Sequence, residues 1–132
     1  MIIFEYIISF AVAFIVAFSS TPIAKKIAFR VGAIDVPKDN RRMHKKPIAL
    51  AGGLAIFCGF VFSVLFTVIS SKITGTNWLE SYRLILGLLV GTIIITLTGF
   101  VDDVKPLSAK TRLVFQSIAA ISTILISDIR IE

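Results

Sequence analysis

The sequence predicts an all-α fold, a polytopic bundle of transmembrane helices, on three observations. First, 56% of the 132 residues are hydrophobic, with eleven Phe among them, and the mean hydropathy is +0.92; a soluble domain of this length is far more polar. Second, the apolar residues fall into four runs, each long enough to cross most of a ~30 Å hydrocarbon core at about 1.5 Å per helical residue. Third, the formal charge of +6 is gathered in one place, because residues 24–47 hold eight Lys or Arg against Asp35 and Asp39. Between two apolar runs such a segment reads as a cytoplasmic loop facing anionic lipid or a phosphorylated substrate, and no nucleic acid partner is expected. The single Cys58 sits inside an apolar run, which excludes a disulfide framework and a cysteine metal site.

The first span is residues 2–22. The positive cluster follows it rather than precedes it, the reverse of a secretory signal, so the N-terminus is expected outside. A stop or kink at Pro22 is inexpensive near a span end, and Lys25, Lys26 and Arg30 can carry the helix into the headgroups by snorkelling. Gly32, Pro37 and Pro47 then punctuate the cytoplasmic loop over residues 24–47. The second span is residues 50–70, where Ala51, Ala55, Gly59, Ser63 and Thr67 recur every four residues. That stripe reads as a helix-packing face. Gly52 and Gly53 open the span, and two glycines there permit close approach by another backbone or by a phosphate. A short outer connection follows, with Trp78 and Tyr82 as interfacial anchors.

The third span, residues 84–101, ends on Asp102 and Asp103, the most costly pair in the chain. Carboxylates inside a bilayer are expensive, and at a helix C-terminus they oppose the helix dipole unless cations offset them. Lys105, Lys110 and Arg112 follow closely, and a divalent cation would serve as well. Two readings stand side by side: a chemical carboxylate pair, or a solvated loop with an Asp helping to start the next helix. Thr92, Thr96, Gly99 and Asp103 share one helix face that leads down to a carboxylate, with hydroxyls bonding back to their own helix as the plain alternative. The fourth span is residues 113–127. Gln116 lies one turn beyond Arg112 and is expected to face protein or an aqueous cavity. Four spans put both termini outside and bring loops 24–47 and 102–112 to one side.

Two stretches carry a family resemblance, HKKPIALAGG from His44 to Gly53 and GFVDDVKPLSAKTRLVFQ from Gly99 to Gln116. Together they resemble the first two cytoplasmic motifs of the polyprenyl-phosphate N-acetylhexosamine-1-phosphate transferases, which include the undecaprenyl-phosphate GlcNAc-1-phosphate and muramoyl-pentapeptide transferases. Asp102, Asp103, Leu107, Lys110 and Gln116 match the second motif in type and spacing; His44, Pro47, Gly52 and Gly53 match the first. Ala49 and Leu50 stand where many members have Pro and Arg, so a phosphate contact from that Arg is missing. Members have about ten to eleven transmembrane helices. The resemblance therefore implies an N-terminal portion of one membrane domain, four spans of a larger fold, incomplete and inactive alone.

The resemblance further implies a reaction at the plasma membrane. A UDP-N-acetylhexosamine gives its sugar 1-phosphate to undecaprenyl phosphate and releases UMP, at the start of a cell-wall or surface polysaccharide pathway. Mg²⁺ or Mn²⁺ would assist, with no complete metal site in this chain and Asp102 and Asp103 as indirect partners. Asp102 and Asp103 would be catalytic, and Lys110, His44, Gly52, Gly53 and Gln116 would bind substrate or phosphate. A homodimer or a missing C-terminal half would complete the assembly. The competing class is a non-catalytic membrane protein whose basic loop binds anionic lipid and whose Asp pair bridges to Lys105 or Arg112.

Overall fold

A computed structural model describes residues 2–36, 47–74 and 82–127. Its elements in order are α1 (Ile2–Val31), β1 (Ile34–Asp35), β2 (Ile48–Ala49), α2 (Gly52–Thr74), α3 (Tyr82–Val104) and α4 (Ala109–Ser127). All four helices are long and apolar enough to cross a membrane, as the hydrophobic runs require. His44 and Trp78 lie outside the described residues.

The helices pair as two hairpins, α1 on α2 and α3 on α4, with a much shorter contact between α2 and α3. Small residues make both hairpins. In the first, the four-residue stripe on α2 is the contact face: Ala51, Ala55 and Gly59 are buried, and a Cβ on Gly59 would come within 2.5 Å of the Ala13 carbonyl oxygen. Farther along, Ser63 Oγ donates to the Ser9 carbonyl at 3.0 Å, and Thr67 Oγ1 donates to the Ser63 carbonyl at 3.0 Å. The Thr67 proton is thereby used, so in the 3.1 Å contact between Ser9 Oγ and Thr67 Oγ1 the serine donates. No hydroxyl in this set is left without a partner, as an apolar surrounding demands.

The second hairpin uses a pattern that the sequence reading passed over. Gly87 and Gly91 on α3 face Ala119, Thr123 and Ser127 on α4, again at four-residue spacing, and Gly87, Gly91, Ala119 and Ser127 are buried. A Cβ on Gly87 would meet the Thr123 carbonyl oxygen at 2.8 Å. Thr123 and Ser127 send their protons to the carbonyls one turn back, at Ala119 and Thr123.

Three boundaries differ from the sequence reading. First, α1 runs through Pro22 to Val31, about 45 Å at 1.5 Å per residue, which carries its basic end beyond a ~30 Å core. Proline removes only the bond to the Phe18 carbonyl, a modest loss near the membrane edge. Second, the loop after α1 is not irregular throughout. Gly32 takes a positive φ of 81°, and the Ala33 N–H reaches back to the Ala28 carbonyl at 2.9 Å, the six-to-one bond of a Schellman cap. The chain then forms an antiparallel pair, Ile34 with Ala49 and Asp35 with Ile48, and the Leu50 N–H donates to the Ala33 carbonyl at 3.0 Å. Third, α3 continues through both aspartates to Val104, with the Lys105 N–H on the Val101 carbonyl at 2.8 Å.

This cap and ladder draw Ala28, Ala33 and Ala51 into one buried cluster, against which Ala49, Leu54 and Phe100 pack. Phe100 belongs to α3, so the cluster ties the second hairpin to the first at the end that carries the aspartates.

If small residues hold the hairpins, adding one methyl must hurt where backbone is the neighbour and not elsewhere. Gly59→Ala and Gly87→Ala should each destabilise by about 1–3 kcal/mol, the usual cost of overpacking. Gly99→Ala, whose Cβ would meet nothing within 4 Å, should be neutral or slightly stabilising through helix propensity. Melting in detergent, followed by circular dichroism, separates the two classes.

Candidate functional site

The last turn of α3, the loop after it and the first turn of α4 form one hydrogen-bonded unit. Ser108 is the N-cap of α4: its Oγ accepts the Thr111 N–H at 3.2 Å, and its carbonyl accepts the Arg112 N–H at 3.1 Å, the arrangement that spares the first helical donors. The N-cap is thus Ser108 and neither aspartate, and the aspartates contribute to the start of α4 only through the loop before it.

The two carboxylates have different surroundings. Asp102 Oδ1 accepts the Leu107 N–H at 2.7 Å and Arg112 Nε at 3.0 Å. It thus closes the loop between α3 and α4 and draws a cation to a helix C-terminus, where the dipole favours one. Asp102 is less exposed than its partner, 24% against 48%. Asp103 makes no hydrogen bond or ion pair among the described residues. Of the cations expected to offset the pair, Arg112 does so for Asp102, because the ten-residue return of the chain brings it there; Asp103 is offset by none among the described residues.

Both aspartates line a cavity of about 300 Å³ between α2 and α3, and Asp103 does so with no hydrogen bond or ion pair among the described residues. Gly53 and Leu54 line it from α2, and Thr96, Gly99 and Phe100 from α3. The polar face read along α3 is thereby divided. Thr92 bonds back to the Leu88 carbonyl at 2.6 Å, as the plain alternative had it, whereas Thr96 has no such bond among the described residues and lines the cavity beneath Asp103. Gly53 and Asp103, from separate motifs, meet here. Neither Gly52 nor Gly53 would bring a Cβ within 4 Å of another atom, so the start of α2 offers open space to a ligand.

Other expected site residues are not brought to this cavity. Gly52 lines a second one, beside Thr21 and Lys25. Lys110 and Gln116 are exposed on α4. Gln116 shares the helix face of Ala119, Thr123 and Ser127, one turn before the part of that face that meets α3, and is exposed there. His44 is outside the described residues. Mg²⁺ demands near-octahedral oxygen ligands, and among the described residues no three His, Cys, Asp or Glu stand close enough to hold a metal ion. A complete protein cage is therefore absent among the described residues, and Asp102 and Asp103 are the carboxylates lining the cavity that a Mg²⁺ or Mn²⁺ carrying its own waters and a substrate phosphate would meet.

The packed pieces Ala51, Leu54 and Phe100 were not singled out as site residues from sequence. Ala51 was legible only as part of the packing stripe, and Leu54 and Phe100 only as apolar positions within spans, indistinguishable there from lipid-facing ones.

Comparison with known proteins gives a consistent result. Residues 85–132, which are α3, the aspartate loop and α4 with the segment after it, match the family described as Glycosyl transferase family 4. Over 116 residues the chain is 39% identical to a probable undecaprenyl-phosphate N-acetylglucosaminyl 1-phosphate transferase of Bacillus subtilis (strain 168), a match covering 85% of this chain and 29% of that protein. It is 29% identical over 127 residues to the undecaprenyl-phosphate alpha-N-acetylglucosaminyl 1-phosphate transferase of Yersinia pestis, covering 94% of this chain and 29% of the other. A Salmonella typhi protein of the same description is 29% identical over 109 residues, 83% of this chain and 26% of that one. The chain thus spans less than a third of the length of these relatives. No solved structure matches it.

The two carboxylates should separate in a stability measurement. Asp102→Asn and Arg112→Ala should each lower the melting temperature, with a coupling of about 1 kcal/mol or less in a double-mutant cycle, since the pair is partly exposed. Asp103→Asn should leave melting unchanged or raise it, because it removes an uncompensated charge from a helix C-terminus.

Proposed function

We propose, since this chain belongs to glycosyl transferase family 4 through residues 85–132, that its residues form part of the site of a membrane sugar-1-phosphate transferase. The enzyme moves N-acetylglucosamine 1-phosphate from UDP-N-acetylglucosamine to undecaprenyl phosphate at the start of a cell-wall or surface polysaccharide. An oxygen of the lipid phosphate attacks the sugar-bearing phosphorus, the bond from that phosphorus to UMP breaks, and UMP leaves with the electron pair. The observation that carries this reading is the meeting of Gly53 and Asp103 in one cavity at the same end of the bundle.

Two phosphates must approach one another against their charges, which sets what the protein has to supply. Asp103, with no partner of its own, takes or orients the proton of the lipid phosphate. Asp102 acts at one remove, holding the loop on which Asp103 and the start of α4 depend. Lys110, exposed in the first turn of α4, meets a phosphate arriving from the cytoplasmic side. Gly52 and Gly53 leave room for a phosphate oxygen near the α2 backbone, and His44 orients the same region. Gln116 is given no role in this site. The loops over residues 24–47 and 102–112 are cytoplasmic under this reading, and both ends of the chain are outside. A carboxylate adds to the negative charge and cannot offset it, and no three-ligand metal group stands among the described residues, so the cationic groups come largely from outside them, and purified Met1–Glu132 releases no UMP.

The decisive experiment exchanges residues 1–132 for the matching segment of the Bacillus subtilis relative. Transfer of radiolabelled sugar phosphate from UDP-N-acetylglucosamine to undecaprenyl phosphate is then measured in membranes. Asp103→Asn should reduce turnover by about 10²-fold, the scale of removing an acid–base group, with no loss of folded protein. Near-normal turnover in that variant would sink the assignment.

A further inference from the structure

A second cavity, of about 310 Å³, lies between α1 and the start of α2, lined by Thr21, Ala24 and Lys25 on one side and by Pro47, Ile48 and Gly52 on the other. Ala51 is the sole lining residue it shares with the cavity below Asp103. Its depth follows from α1. The apolar run ends at Pro22, so Lys25 stands about 4.5 Å farther along the axis at 1.5 Å per residue, in the headgroup layer.

The lining has the chemistry of an amphiphile's neck. Its walls are mainly apolar, with Lys25 as the cation among them, and that ammonium has no carboxylate partner among the described residues. A small soluble anion would need several converging donors, and among the described lining residues only this one side chain supplies any. Thr21 does not, because its hydroxyl already donates to the Ala17 carbonyl at 2.8 Å. What Thr21 still presents is a lone pair, which accepts from a group that carries its own hydrogen. A phosphate to meet Lys25, a hydroxyl to meet Thr21 and an apolar body against Ile48 and Ala24 describe one class of molecule.

We propose that this cavity is a binding site for the headgroup of an anionic phosphoglycerol lipid, separate from the cavity that holds Asp103. The lipid phosphate pairs with Lys25, and a glycerol hydroxyl donates to Thr21. Undecaprenyl phosphate, which has no headgroup hydroxyl beyond its phosphate, is the poorer fit. The site does not rest on the transferase reading.

The test is native mass spectrometry of Met1–Glu132 released from nanodiscs of mixed phosphatidylglycerol, phosphatidic acid and phosphatidylcholine, with helicity checked by circular dichroism. Wild-type protein should retain one phosphatidylglycerol in preference to the other two. Lys25→Ala should lower that occupancy about fivefold, the scale of one basic side chain at an anionic surface, while Lys26→Ala, which removes the adjacent charge outside the cavity, leaves it unchanged. Thr21→Val should abolish the preference for phosphatidylglycerol over phosphatidic acid and leave folding intact, since the position is exposed. Equal losses from Lys25→Ala and Lys26→Ala would reduce the effect to diffuse surface charge and overturn the proposal. So would retention of phosphatidylcholine at the same level, or displacement of the lipid by millimolar inorganic phosphate or by equimolar undecaprenyl phosphate.

Discussion

Within lipid, one apolar helix gains little by touching another, because the hydrocarbon around it is equally apolar; close approach of backbones is what gives the contact its energy. Both hairpins of this chain rest on that constraint. Gly59 meets the Ala13 carbonyl, and Gly87 meets the Thr123 carbonyl, at separations that no larger side chain tolerates. The hydroxyls that enter these seams are satisfied locally, through Ser63 to Ser9 and through Thr123 and Ser127 to their own helix. The large apolar side chains face outward, as Phe10, Phe14 and Phe18 do on α1. This arrangement inverts a soluble core, with small residues inside and bulk at the surface.

The hairpins alone would leave the ends of the helices unrelated. The Gly32 cap, the two-residue ladder and the Ala28, Ala33 and Ala51 cluster fix the end of α1 against the start of α2, and Phe100 brings α3 onto the same cluster. Gly53 and Asp103 are placed opposite one another by that node and not by the spans themselves. The sparse contact between α2 and α3 elsewhere leaves the space that becomes the cavity.

The adjacent carboxylates show how one turn of helix assigns different physical tasks to identical residues. Successive residues on a helix point about 100° apart. Both line the gap toward α2, but Asp102 is held by an N–H and a guanidinium of the returning chain, while Asp103 has no such partner among the described residues. A charge left unpaired at a helix C-terminus costs free energy in the folded state. Asp102 positions the loop, while Asp103 keeps its charge at the helix end without a partner among the described residues.

The sequence by itself determined the four helices, the all-α class and the packing stripe on α2, because hydrophobic run length and four-residue spacing are local properties that a bilayer reads directly. It also supplied the family resemblance, through residue types at fixed spacing around Asp102 and Asp103. It allowed α1 to continue past Pro22 and α3 to reach Asp103 without fixing where either helix ends, since polarity ends a hydrophobic run but does not end a helix. The tertiary structure alone decided which aspartate is held and which has no partner among the described residues, and that Gly53 and not Gly52 shares the cavity with Asp103. Each of these depends on a contact between residues far apart in the chain, and no periodicity in the sequence encodes which faces of two helices will meet.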